Sequence, residues 1–185
     1  MSEYSFRYSS ASDIDRLSEL WAAVFGDGPE LISSFFELLW KPGYCVLAES
    51  GGRLASMGFC LRGPEALGRR CGYIYAMATA PEHRGLGLAA GIGRRLMDDA
   101  FSNGLDIVAT LPAEDSLCLW YEQKLDMRPL FKKGGPGVEF PEAWLRFSAV
   151  CGPHDPGSPE RLWAKVRPSV DITNLERLGW ECSFD

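Results

Sequence analysis

Apolar residues along this 185-residue chain follow two periods, and the places where the period changes mark its elements. Residues 6–8 read as a short strand. The cluster Ser9-Ser10-Ala11-Ser12-Asp13 then suits the cap of a helix beginning near Asp13, in which Ile14, Leu17, Leu20, Trp21 and Val24 recur at helical spacing. Gly26-Asp27-Gly28-Pro29 ends that helix, and Leu31, Phe35, Leu38 and Leu39 mark a second. Two β-rich runs, 44–48 and 53–61, are joined at Ser50-Gly51-Gly52, a hairpin signal. A loop over 63–70 leads to a third strand, 72–79. Leu88, Ile92, Leu96 and Ala100 form one stripe of the next helix, with Arg94, Arg95, Asp98 and Asp99 on its wet face and Asn103-Gly104 as its stop.

Further on, 106–111 is a short apolar strand broken by Pro112, and 116–125 returns to helical spacing through Leu117, Tyr121 and Leu125. Residues 128–132 and 144–150 are expected to pair as closing strands around Lys133-Gly134-Gly135-Pro136-Gly137. The stretch 151–157 reads as a linker. Ser158-Pro159-Glu160 has the cap, proline and acid of a helix start. The expected organisation is one domain over 1–150, then a linker and C-terminal helical extension over 151–185 that packs back on it through Trp163 and Trp180.

Composition narrows the function classes. Hydrophobic content of 46% and charged content of 24% are those of a globular protein. A net charge of −6, with no cluster of lysines and arginines able to track a phosphate backbone, argues against nucleic acid as a partner and mildly favours cationic small molecules or basic peptides. No apolar run reaches membrane-spanning length, and the first residues lack the basic flank and apolar core of a signal peptide, so no membrane partner is expected and the cytoplasm is the expected location. Six scattered cysteines without a C-x-x-C pair fit reduced, buried thiols. With only His83 and His154, and no ligand-spaced partners, no metal site is expected.

The most informative stretch is Ala80-Pro81-Glu82-His83-Arg84-Gly85-Leu86-Gly87-Leu88-Ala89-Ala90, a glycine-punctuated turn between a strand and a helix. Glycines there can take backbone angles closed to other residues, and the free amides and positive dipole end of the following helix favour an anion such as phosphate. Two patterns compete for it. Gly85-x-Gly87-x-x-Ala90 fits a dinucleotide fingerprint, but such a turn follows its strand directly and is answered by an acidic residue about 20 positions later at the end of the second strand. Here four residues intervene after Ala80, and Asp106 opens the next strand. Arg84-x-x-Gly87-x-Ala89 instead fits an acyl-CoA pyrophosphate motif.

With that turn placed, the chain resembles the GNAT superfamily of N-acetyltransferases over about residues 5–150. Met77 to Ala89 looks like the family's central strand and pyrophosphate loop. Leu111-Pro112-Ala113-Glu114 followed by Leu119-Trp120-Tyr121-Glu122 looks like its second signature, and both stretches resemble the N-terminal domain of the enhanced-intracellular-survival branch. The resemblance implies an α/β (α+β) fold, a mixed, mostly antiparallel central sheet with helices on both faces, and acetyl-CoA as cosubstrate without a metal. It implies that Arg84, Gly85, Leu86, Gly87, Leu88 and Ala89 hold the pyrophosphate, that Met77, Ala78 and Thr79 line the pantetheine arm, and that Tyr121 is the catalytic acid. Where the family continues Tyr-Glu-x-Leu-Gly-Phe, this chain has Tyr121-Glu122-Gln123-Lys124-Leu125-Asp126-Met127, one residue longer and without the glycine or the aromatic.

Acetyl transfer to an amine needs a neutral amine, a bound oxyanion and a thiolate that takes up a proton. Glu82, His83, Glu114 or Asp115 can accept the ammonium proton directly or through water, and the sequence favours none of them decisively. The backbone near Ala78 can bind the oxyanion. Tyr121 can protonate the departing sulfur, although its stripe with Leu117 and Leu125 equally suits a core aromatic. Tyr73 and Tyr75 divide between core and acceptor cleft, and His154 beside Cys151 reads as linker rather than a nucleophile pair. The expected activity is direct transfer in a ternary complex to a small-molecule or peptide amine, the rival being a noncatalytic acyl-CoA binder or sensor. The sequence leaves a homodimer open.

Overall fold

The computed structural model describes residues 4–153 and 155–184. Two compact units share the chain: one holds the residues up to Leu61 together with Ile74–Asp98, the other Arg62–Tyr73 and the chain from Asp99 onward. Two long strands, β3 (Arg53–Ala66) and β4 (Arg69–Thr79), contribute to both.

In the first unit β1 (Ser5–Tyr8) pairs antiparallel with β2 (Cys45–Ser50), placing Phe6 opposite Ala48, and β2 pairs antiparallel with β3 through a bulge between Ala48 and Glu49. Helices α1 (Ile14–Phe25) and α2 (Pro29–Leu38) pack on one another, the turn between them set by Gly26 in the left-handed region at φ 78°. Trp21, Phe35 and Phe59 are buried together, with Trp21 5.4 Å from the half-buried Tyr75 and its indole N–H bonded to Asp27 at 2.7 Å. Helix α3 (Leu88–Ser102) approaches β3 at Gly58, where a Cβ would come within 3.0 Å of Ile92 Cγ2. A Cβ there would have to push Ile92 aside by a few tenths of an ångström. Asp13 is buried at the head of α1, yet it accepts 2.7 and 2.8 Å bonds from Arg7 and one of 2.8 Å from the Ser10 amide. Glu49 on β2 closes the cluster with Arg7 and Arg16. The guanidinium contacts hold both carboxyls below the usual carboxylate range.

In the second unit the start of β4 runs parallel to β5 (Ile107–Thr110), and β8 (Arg161–Val166) lies antiparallel between β5 and β6 (Arg128–Lys133). The short β9 (Gly179–Trp180) extends β6 in parallel, and β7 (Val138–Glu139) pairs with the end of β3. Helices α4 (Asp115–Leu125) and α5 (Glu142–Cys151) complete five α-helices among the described residues. The core gathers Tyr73, Phe131, Trp144, Phe147, Trp180 and Phe184, with Tyr73 and Trp180 stacked at 5.6 Å and the Tyr73 hydroxyl donating to the Ser183 carbonyl. The fold is thus the expected α/β one, a mixed, mostly antiparallel sheet with α-helices.

Three local expectations fail. Residues 63–70 are no loop: β3 continues to Ala66, and Leu67 and Gly68, both at positive φ (52° and 72°), turn the chain directly into β4. A two-residue turn with both φ positive matches the twist of a hairpin. Residues 144–150 form a helix, because Trp144, Phe147 and the half-buried Cys151 recur at helical spacing while Leu145, Arg146 and Val150 stay exposed. The partner of β6 is β8 instead, and Ser158-Pro159-Glu160 leads into that strand, not a helix: Leu162 and Ala164 are buried in strict alternation. The helical extension over 158–185 is therefore strand, 3-10 turn and strand. His154 lies outside the described residues.

Candidate functional site

The glycine turn belongs wholly to the first unit, and its geometry follows from the strand before it and the helix after it. Ala76 sits at φ 47° in mid-strand, a left-handed angle that costs an L-residue on the order of 1–2 kcal/mol. Beyond it the end of β4 is pinned: Ser56 Oγ donates to the Ala78 carbonyl at 2.8 Å, and Ala80 N–H to the Ala55 carbonyl at 2.9 Å. Since Ser56 has one proton and spends it on Ala78, the 2.8 Å contact between Ser56 and Thr79 hydroxyls has Thr79 as donor. A 3-10 turn, Pro81–His83, carries the chain out of the strand.

Arg84 then folds back, its Nε donating to the Thr79 carbonyl at 3.2 Å, while its terminal nitrogens have no protein partner among the described residues. Gly85 and Gly87 follow in the left-handed region at φ 76° and 77°, and no atom lies within 4 Å of where a Cβ would project from either. Gly91 N–H bonds to the Gly87 carbonyl at 3.0 Å, so the amides of Leu88, Ala89 and Ala90 precede the first bond of the helix ladder and are the orphan donors of a helix start. Alternating conformations of this kind direct successive N–H groups into one concavity, an anion-binding nest. The open space over both glycines, the exposed cation of Arg84 and the amides at the mouth of α3 fit a diphosphate such as that of CoA.

The candidate bases differ in freedom. Glu82 is exposed on the 3-10 turn with no bonded partner among the described residues. His83 is half-buried, its Nδ1 2.8 Å from the Tyr4 hydroxyl. Glu114 accepts a 2.6 Å bond from Ser116, and Asp115 is exposed in the first turn of α4. Of the paired tyrosines, Tyr73 is core and Tyr75 half-buried.

Tyr121 lies in the second unit, on α4. It is buried, and burial pushes its phenol above the ordinary value while a hydrogen bond with the Thr110 side chain pulls the other way. The unusual segment after it is accommodated simply. Asp126 caps α4 in the left-handed region at φ 55°, a conformation aspartate tolerates, and Met127 is buried. Thr110 is a residue that sequence reasoning missed; its signal lay in the strand end before Leu111-Pro112. Desolvation also pushes the Cys45 and Cys71 thiols up to about 12 and Cys182 to about 11, and raises Cys118. No three metal-ligating side chains cluster among the described residues, and no helix there is long and apolar enough to cross a membrane.

Residues 5–118, more than half of the sequence, match the acetyltransferase (GNAT) domain, and the chain belongs to that family. No functionally curated protein matches it. Among solved structures it is similar to a GNAT family N-acetyltransferase of Escherichia coli in complex with CoA (TM-score 0.63, 14% identity, covering 90% of this chain and 82% of that one). It is also similar to a GCN5-related N-acetyltransferase of Anabaena variabilis (TM-score 0.57, 16% identity, 71% of this chain and 33% of that one) and to Eis1 of Mycobacterium abscessus (0.55, 14%, 70% and 32%). The chain thus spans about a third of the length of those two proteins.

Proposed function

We propose that this protein is an acetyl-CoA-dependent N-acetyltransferase that acts by direct attack of a primary amine in a ternary complex. The observation that carries the reading is the nest: two left-handed glycines under open space, followed by three unbonded helix amides and flanked by Arg84. Residues 84–89 hold the pyrophosphate in this reading, mainly through backbone N–H groups. Met77, Ala78 and Thr79 line the pantetheine arm, with the Ser56 bond fixing the Ala78 peptide. When bound, the coenzyme supplies the activated acetyl thioester. Glu82, unencumbered beside the nest, takes the ammonium proton through water, whereas His83 and Glu114 are already bonded. Tyr121, kept protonated by burial, gives its proton to the sulfur. Raised thiol pKa values leave the buried cysteines protonated and poorly nucleophilic, which supports direct transfer over a covalent acyl-enzyme. The acceptor is a small-molecule or peptide amine, the protein works in the cytoplasm, and neither metal nor nucleic acid takes part.

Isothermal titration with acetyl-CoA, followed by thiol release with a panel of primary amines, tests this. Binding should be seen and should weaken about tenfold in Arg84→Glu, which places a like charge at the phosphates. Equal affinity before and after would show that the coenzyme sits elsewhere. Tight binding without turnover of any amine would point to an acyl-CoA sensor.

A further inference from the structure

Trp163 on β8 carries a buried indole N–H that has no hydrogen-bond partner among the described residues. Folded proteins satisfy nearly all such donors, so an orphan points to a missing partner. The surroundings supply polar company on one side. Trp163 is paired directly with Thr110 across β5 and β8, and residues opposed in an antiparallel pair project from the same face. Thr110 is buried, and its side chain is bonded to the Tyr121 hydroxyl on α4, a helix that packs against β8. An orphan donor, a threonine hydroxyl and the phenol therefore share one face of two neighbouring strands beneath one helix, all within the second unit.

Donor chemistry gives this group a direction. An indole N–H only donates, and a threonine hydroxyl has one proton to give. Tyr121 gives its proton to sulfur in the proposed reaction, so the Thr110 hydroxyl serves it as donor to the phenol oxygen. The Tyr121 proton is then turned away from Thr110. A water accepting from Trp163 would have two protons to give, and the Thr110 oxygen on the same face is an acceptor for one of them.

We propose that Trp163 holds a water which, through Thr110, orients the Tyr121 phenol as proton donor and restores its proton after each turnover. The inference rests on the acetyltransferase reading and on Tyr121 as its acid. The protons balance: Tyr121 gives one to the thiolate as the carbon–sulfur bond breaks, the phenolate takes the Thr110 proton, and Thr110 takes one from the water. The water is replenished from solvent, which has received the proton lost by the amine. Thr110 and Trp163 are positioning residues and do not touch the acetyl group.

Two measurements test the relay. With acetyl-CoA and the best amine of a panel, Thr110→Val should lower kcat about tenfold and Trp163→Phe about threefold, with KM for acetyl-CoA unchanged and Thr110→Ser close to the native rate. Neither substitution should slow the enzyme further in a Tyr121→Phe background. Additive losses in that background, or native rates in both single variants while Tyr121→Phe is slow, would overturn the relay and leave the acetyltransferase reading intact. A native rate in Tyr121→Phe would instead remove the tyrosine from the chemistry and the relay with it. Independently of turnover, the Trp163 indole proton of the native protein should show magnetisation transfer to a long-lived water in NMR, lost in Trp163→Phe. No such transfer would overturn the proposal even if every variant misfolds or no amine reacts.

Discussion

The two units supply polar groups by opposite means. The first presents backbone amides of consecutive residues, 85–90, whose aim is fixed by two glycines and a helix start, with the Arg84 side chain as the one cation beside them. The second presents side chains, Tyr121 with Thr110 and Trp163, brought together by strand pairing across more than fifty residues. Backbone donors cannot be deleted by a point mutation, only mis-aimed. Side-chain donors can be removed atom by atom. The two should therefore fail differently, and the sharpest test of that difference is Tyr121→Phe: kcat should fall by about 10² to 10⁴, the usual worth of general acid catalysis, with acetyl-CoA affinity unchanged. Loss of affinity together with rate would show that the tyrosine acts in binding.

The complementary break is Gly87→Val. A Cβ at residue 87 meets no atom within 4 Å, but at φ 77° a β-branched residue carries the backbone penalty of the left-handed region, about 1–2 kcal/mol, more with branching. To escape it the peptide must rotate, and the amides lose their common aim. We expect acetyl-CoA affinity to fall about 10- to 30-fold by titration, with the rate at saturating coenzyme much less affected. The opposite split, rate lost and affinity kept, would mean that the nest is not the phosphate seat.

The same contrast explains what could be read in advance. The nest was legible because it is local: Arg84, Gly85, Gly87 and the helix stripe Leu88–Ile92–Leu96 are near neighbours, and each acts through conformational rules that hold wherever they occur. The helix boundaries at Gly26 and Gly104 were legible for the same reason. Thr110 and Trp163 were not, because nothing near Thr110 announces that residue 163 lies opposite it. Trp144–Val150 misled through its β-prone composition, although Trp144, Phe147 and Cys151 already carried the helical period. Ser158-Pro159-Glu160 misled in the other direction: a good cap motif outweighed the two-residue alternation of Leu162 and Ala164, which the pairing of β8 with both β5 and β6 makes decisive.

A smaller effect separates the units by pH. The Asp13–Glu49–Arg7–Arg16 cluster lies entirely in the first unit and joins the head of α1 to β1 and β2. Both carboxyls have folded pKa values below their unfolded ones, so the unfolded state takes up protons first as pH falls. The contribution is complete above about pH 5, the upper edge of unfolded carboxylate titration, and is lost progressively below about pH 4. Hydrogen exchange at pH 3 should then show β1 and α1 losing protection relative to β5 and β8. Asp13→Asn should destabilise the first unit by about 2 kcal/mol at pH 7, given the worth of charge-assisted bonds, and should flatten its acid dependence. An unchanged acid slope in that variant would assign the stability to other groups.

The finest distinction concerns strain. Ala76 holds a left-handed angle in mid-strand without the glycine that would make it easy, directly before the residues assigned to the pantetheine arm. Strain at such a place persists only when the surrounding structure over-determines it, and the Ser56 and Ala55 bonds to the strand end are the restraints that do so. Ala76→Gly relieves the clash of the Cβ but frees the unfolded chain, and the two effects oppose. The steric term is on the order of 1–2 kcal/mol and the entropic one roughly 0.5–1, so the variant should be more stable by up to about 1.5 kcal/mol, read as a raised urea midpoint with unchanged slope. Acetyl-CoA affinity should hold, because the amides assigned to the diphosphate lie beyond the pinned strand end. If affinity drops while stability rises, the left-handed alanine is itself what aims the strand at the coenzyme.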